Sequence, residues 1–129
     1  MAIYSQYGIL LNGASAAANQ TSNPIVVDMM NQVILDFDFT GTFTGVLNIE
    51  SGTSGNERPL DLVKGSRAST IRWKKIKTLV ITNGLTPAPD ANAFWWAEVL
   101  TSATLLRVSY SFGSGTGVIN CNFVGKSYG

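Results

Sequence analysis

Residues 35 to 40 alternate strictly between apolar and polar side chains, and this pattern constrains the fold more than any other feature of the chain. A period of two is typical of a half-buried β-strand. After Gly41 and Gly45 the alternation resumes, so residues 33–49 predict a core β-hairpin. The predicted inward side chains are Val33, Leu35, Phe37, Phe39, Leu47 and Ile49, and the predicted outward ones are Asp36, Asp38, Thr40, Asn48 and Glu50.

The same alternation recurs near the carboxyl end of the chain. Two apolar series flank the glycine-rich stretch 113–117, which predicts a turn because glycine adopts positive φ easily. A second hairpin is therefore expected there. Its predicted inward residues are Leu106, Val108, Tyr110 and Phe112 before the turn, and Ile119, Cys121 and Phe123 after it.

Further strands are predicted at 25–27, 60–63, 76–82 and 94–99, with glycine, proline or asparagine between them. Seven or eight strands and only one weak helix candidate, at 64–76, indicate an all-β protein. We predict an antiparallel β-sandwich or jelly-roll-like single domain over residues 24–129. Residues 1–23 are predicted to be an extended N-terminal arm and linker.

The chain is poorly charged for its size. Only 13% of its 129 residues are charged and the net charge is +1, so little repulsion opposes association between copies. A homo-oligomer is expected, with a trimer favoured.

The arm carries several large apolar groups that a free tail would expose to water. We therefore expect it to dock on a partner or a neighbouring subunit, and we expect folding to survive its deletion. The predicted contact residues are Ile3, Tyr4, Tyr7, Ile9 and Leu10.

Two other features suggest contact surfaces. Residues 64–77 hold most of the nine basic residues, and Lys74, Lys75 and Lys77 are expected on an exposed rim that meets an acidic partner. Nucleic-acid binding is the less favoured interpretation, because the chain is nearly neutral. Adjacent tryptophans on a strand point to opposite faces. We therefore predict Trp96 in the core and Trp95 facing solvent, a partner, a sugar, or a second sheet or loop of the same chain that covers it.

The sequence lacks the usual side chains of a catalytic or metal site. It contains no histidine and a single cysteine, which removes the common general base and most transition-metal ligands and excludes an internal disulfide. We predict no enzyme activity, no cofactor and no metal, with Asp36 and Asp38 as solvated outward residues. Residues 1–11 resemble neither a signal peptide nor a membrane span.

Three segments resemble small β-sandwich structural proteins of tailed-bacteriophage particles. They are Phe-Thr-Gly-Thr-Phe-Thr-Gly-Val-Leu-Asn-Ile-Glu at 39–50, Phe-Trp-Trp-Ala-Glu-Val at 94–99 and Leu-Arg-Val-Ser-Tyr at 106–110. The resemblance implies a virion protein assembled in the host cytoplasm, most specifically a capsid decoration or cement protein that binds the major capsid protein. A carbohydrate- or receptor-binding module of a tail or fibre is the alternative.

Overall fold

The computed structural model describes residues 3–27, 30–53, 71–81, 93–99 and 105–128. These residues form one antiparallel sheet of seven strands, and none of them is helical. The predicted all-β, antiparallel fold is confirmed. The strands are β1 (Ile3–Ser15), β2 (Gln20–Thr21), β3 (Ile25–Val26), β4 (Gln32–Thr53), β5 (Arg72–Ile81), β6 (Ala93–Val99) and β7 (Leu105–Tyr128).

Two very long strands organise the sheet. β4 and β7, of 22 and 24 residues, pair with each other from Gln32↔Lys126 to Gly52↔Leu105. β1, β2 and β3 follow one another along the free edge of β7, and β5 and β6 do the same along the free edge of β4. The sheet is thus four strands wide over most of its length, with β4 and β7 in the middle.

The sheet folds over on itself near the middle of β4 and β7. β3 pairs with the start of β7 at Leu105, whereas β4 begins beside Lys126, near the other end of β7. A straight strand of this length would extend about 80 Å, but the link from Val27 to Gln32 spans at most about 18 Å. The two ends of β7 therefore lie close together, and the two halves of the sheet pack face to face.

The first layer contains β1, β6, the first half of β4 and the second half of β7. The second layer contains β2, β3, β5 and the remaining halves of the long strands. Alternate side chains of both layers point inward and form a single apolar core. Its largest fully buried members are Tyr110, Phe37, Phe39, Phe43, Leu35, Leu47, Ile49, Ile81, Leu106 and Ile119.

Glycines allow the fold-over, and here the predicted hairpins are wrong. Gly41 lies opposite Gly117, and Gly115 lies opposite Phe43, all within continuous strands. Gly41 and Gly115 have φ of 92° and 87°, and a Cβ on either would meet the backbone of the opposing strand. The glycines bend two strands together; they do not reverse the chain.

The predicted N-terminal arm is also corrected. Residues 3–15 form β1, which pairs with β7 from Tyr128 to Val118, and β2 continues the pairing at Gln20 and Thr21. Leu11 is buried in the core. Over the described residues this segment belongs to the domain's own sheet, because its backbone completes the free edge of β7.

Three of the four remaining strand predictions can be compared with the structure. The strands at 25–27, 76–82 and 94–99 correspond to β3, β5 and β6, and β5 begins earlier than expected, so residues 72–76 are strand where a helix was considered. The predicted strand at 60–63, and Lys64 and Arg67 of the basic segment, lie outside the described residues.

Candidate functional site

The outward surface of the first layer carries an unusual mixture of exposed apolar and acidic side chains. The register places these residues in neighbouring rows across β1, β7, β4 and β6. We call this surface the outer face, and its members are Tyr7, Ile9, Ile34, Asp36, Asp38, Phe94, Trp96, Glu98, Asn122 and Val124.

Four large apolar residues of the outer face are far more exposed than such side chains usually are. Tyr7 is 74% exposed, Ile9 62%, Phe94 57% and Trp96 56%. Tyr7 and Ile9 alternate with Gly8 on β1, and Phe94 and Trp96 alternate with Trp95 on β6, so each pair points outward together. An exposed group of this kind on one face marks an interaction surface.

The middle of the outer face is concave. A shallow depression of about 460 Å³ lies between β1, β7 and β4. Its walls are mostly apolar, with one carboxylate and one amide as polar groups. The lining residues are Tyr7, Gly8, Ile9, Ile34, Asp36, Asn122, Phe123 and Val124.

Asp36 and Asp38 are both exposed, as predicted, and share the outer face. Partial burial raises the pKa of Asp36 from its ordinary value of 3.8, and the neighbouring Asp38 carboxylate raises it further. The charged form of Asp36 is therefore less favourable here than in water. A cation bound close to Asp36 and Asp38 would make the charged form of Asp36 more favourable.

The prediction that Trp96 lies in the core is wrong, and of the alternatives for Trp95 the structure shows cover within the chain. Trp95 stacks on Phe37 with a ring separation of 5.3 Å and packs against the core. Trp96 points outward beside Asp36, the residue of β4 with which it pairs. Alternation established that the two residues face opposite ways, but the pairing of Trp95 with the inward Phe37 decides which one is covered. Phe94 and Trp96 are the exposed aromatic residues of the outer face that sequence reasoning missed.

The residues predicted for the arm are divided by the same strand geometry. Tyr7 and Ile9 are exposed on the outer face, whereas Leu10, at a bulge between Ile9 and Leu11, packs against the core. Ile3 and Tyr4 belong to β1, and their side chains lie outside the described part of the structure.

The three predicted rim lysines lie on β5, at the edge of the second layer. Lys74, Lys75 and Lys77 are all exposed, as predicted. Ile76 is the extra residue of a bulge between the pairs Ile49↔Lys77 and Glu50↔Lys75, so it is exposed among them. The lysines and the outer face are therefore on different layers.

Two polar residues predicted to point into solvent are buried instead. Glu50 accepts a hydrogen bond from Arg107 Nε at 2.7 Å, and the Arg107 guanidinium lies 4.0 Å from the centre of the Trp73 ring. Asn48 accepts a hydrogen bond from Thr78 at 2.7 Å. These contacts account for the burial of Glu50 and Asn48 on the outward surface of the second layer.

Groups that could support catalysis or metal binding are not brought together in the described ranges. Cys121 is fully buried, and burial raises the pKa of its thiol, with a smaller effect from Asp36. Within those ranges no three His, Cys, Asp or Glu side chains are placed to hold a metal ion. Nor is any helix there long and apolar enough to cross a membrane.

Fold and site together define an all-β protein with a folded-over antiparallel sheet and one exposed apolar and acidic face. No protein-family model matches the chain, and no curated protein matches it. Among solved structures, it is similar to the SPBc2 prophage-derived protein YomS, with a TM-score of 0.48 and 12% identity over 98% of this chain and 96% of that one. Function is therefore inferred from this chain's own residues.

Proposed function

We propose that this chain is a non-enzymatic structural protein of a phage particle, most specifically a capsid decoration or cement protein, that binds other subunits through its outer face. The observation that carries the proposal is the exposure of Tyr7, Ile9, Phe94 and Trp96 on one face. Burial of apolar surface contributes about 2.5 kcal/mol per 100 Å² before ordering costs. Assembly with other subunits would bury the exposed apolar surface of the outer face.

The sequence supports the same proposal from independent features. Low charge favours association, and the strand segments at 39–50, 94–99 and 106–110 resemble virion β-sandwich proteins. The proposed partners are copies of this chain, as a trimer, and the major capsid protein. Symmetric repetition of weak contacts on a capsid lattice would raise the overall affinity by avidity.

A second function is favoured by one observation. Phe94 and Trp96 present neighbouring exposed rings beside Asp36 and Asn122, and aromatic rings with carboxylate and amide groups can bind sugars by stacking and hydrogen bonding. A carbohydrate-binding module of a tail or fibre would use the same face. Binding of the purified chain to a host polysaccharide, lost in Trp96→Ser, would favour this alternative.

The assembly function is tested by placing Trp96→Ser in the genome of the phage that encodes the chain. Quantitative mass spectrometry of purified particles should detect the wild-type chain at a fixed stoichiometry. Truncating an interface tryptophan typically lowers the binding free energy by about 2 kcal/mol or more. The Trp96→Ser variant should therefore need a roughly thirtyfold higher concentration to fill the same sites on the particle.

The matched control is Val26→Ser, which changes a residue that is 58% exposed but lies on the second layer. Both variants should melt close to the wild type, since exposed substitutions rarely alter stability much. Absence of the chain from wild-type particles, or equal incorporation of both variants, would contradict the proposal.

A further inference from the structure

Two exposed surfaces of this chain carry opposite charge. The outer face contains three exposed carboxylates, those of Asp36, Asp38 and Glu98, with Lys126 at its margin. β5 carries Arg72 and three lysines, all exposed, together with exposed Ile76 and Val80. We call this second surface the basic edge; its members are Arg72, Lys74, Lys75, Ile76, Lys77 and Val80.

These charges are not neutralised within the described part of the chain. The ion pair found there joins Arg107 to Glu50 and involves neither surface. The outer face points away from the second layer, whereas the basic edge belongs to that layer, so the two cannot meet within one molecule.

The two surfaces also match in their apolar content. Trp96 and Phe94 are more than half exposed on the outer face, and Val80 is 55% exposed on the basic edge. Exposed apolar side chains that accompany negative charges on one surface and positive charges on the other combine burial with electrostatic selection of the partner. Among the described residues, the backbone of β5 pairs only with β4.

We infer that the outer face of one copy binds the basic edge of a second copy, an inference that rests on the proposed assembly function. The contact is head-to-tail, because the two surfaces are different patches of the same chain. Such heterologous contacts close into rings or continue as filaments. Three copies in a ring would give the expected trimer.

The experiment measures self-association by sedimentation velocity at low salt, using the full chain and three variants. The first reverses the basic edge with Lys74→Glu, Lys75→Glu and Lys77→Glu. The second reverses the outer face with Asp36→Lys, Asp38→Lys and Glu98→Lys. The third combines all six substitutions, which restores complementarity with the signs exchanged.

Each single-surface variant should associate at least tenfold more weakly than the wild type, and the six-substitution variant should recover most of the loss. An equimolar mixture of the two single-surface variants should also associate, since each then offers the surface that the other lacks. Wild-type association should weaken as salt is added. Lys126→Glu is the control, and it should not weaken association.

Melting temperatures identify any variant that fails to fold. If the outer-face reversal does not fold, the milder pair Asp36→Asn and Asp38→Asn replaces it, with a smaller expected loss of self-association.

A wild-type chain that stays monomeric at high micromolar concentration would overturn the inference. Unchanged association on charge reversal, or failure of the combined variant to recover, would overturn it too. If Trp96→Ser still abolished incorporation into particles, the proposed function would stand and the partner would be another protein. Self-association without incorporation would overturn the proposed function alone.

Discussion

Replacing Gly115 by alanine is expected to lower the stability of the fold severely. Gly115 has φ of 87°, a conformation that costs an L-residue about 1–2 kcal/mol. Its Cβ would also collide with the Thr42 carbonyl oxygen and would lie 2.8 Å from Phe43 Cα. Since both contacts are to backbone of the paired strand, relief requires the two long strands to separate at the bend. We expect a total cost of about 3 kcal/mol or more.

The chain provides a matched control for this prediction. Gly13 also has positive φ, at 64°, but no atom lies within 4 Å of where its Cβ would be. Gly13→Ala should therefore cost only the backbone term, about 1 kcal/mol. Urea unfolding of both variants gives the comparison, and equal losses of stability would show that close packing at the bend is unimportant.

Deleting residues 1–11 is expected to destabilise the fold by several kcal/mol, enough to unfold a domain of ordinary stability. The deletion removes most of β1, so the edge of β7 from Cys121 to Tyr128 loses its backbone partner. It also removes buried Leu11 and uncovers Phe123, whose ring packs over Gly8. This replaces the expectation from sequence that folding would survive the loss of an arm.

Circular dichroism and thermal melting of the truncated chain test this second prediction. The double variant Tyr7→Ser, Ile9→Ser separates the two roles of β1, because it keeps the strand and changes only exposed side chains. That variant should melt close to the wild type. A truncated chain with an unchanged melting temperature would mean that β1 is a dispensable addition to the sheet.

Alternation in the sequence predicted which side chains face the core with considerable success. Val33, Leu35, Phe37 and Phe39 are buried, and Ile119 and Cys121 are as well, whereas the prediction that Phe112 points inward is wrong, since it is 41% exposed. Alternation succeeds at the buried positions because the period of a strand is a local property of the backbone and needs no knowledge of its neighbours.

The glycines were misjudged for a non-local reason. A glycine-rich stretch can end a strand or bend it, and only the opposing strand decides between the two. Gly41 faces Gly117 across the sheet, so both strands bend at one point and neither reverses. The length of β4 and β7 could not be read from either sequence segment alone.

The candidate site was only half predicted for a related reason. Tyr7 and Ile9 were selected because a free tail would expose them, and the three lysines because residues 64–77 hold most of the basic residues. Trp96 was assigned to the core because alternation gives the period of a strand but not which of its faces is covered. The pairing of Trp95 with Phe37 settles that choice, and it depends on strands far apart in sequence.

We expect the outer face to be buried when the chain performs its function. Hydroxyl-radical footprinting read by mass spectrometry tests it directly, comparing the free chain with the chain in purified phage particles. Tyr7 and Trp96 should be oxidised readily in the free chain and strongly protected in the particle, while Trp95, already stacked on Phe37, should change little. Equal oxidation of Tyr7 and Trp96 in both states would contradict the claim.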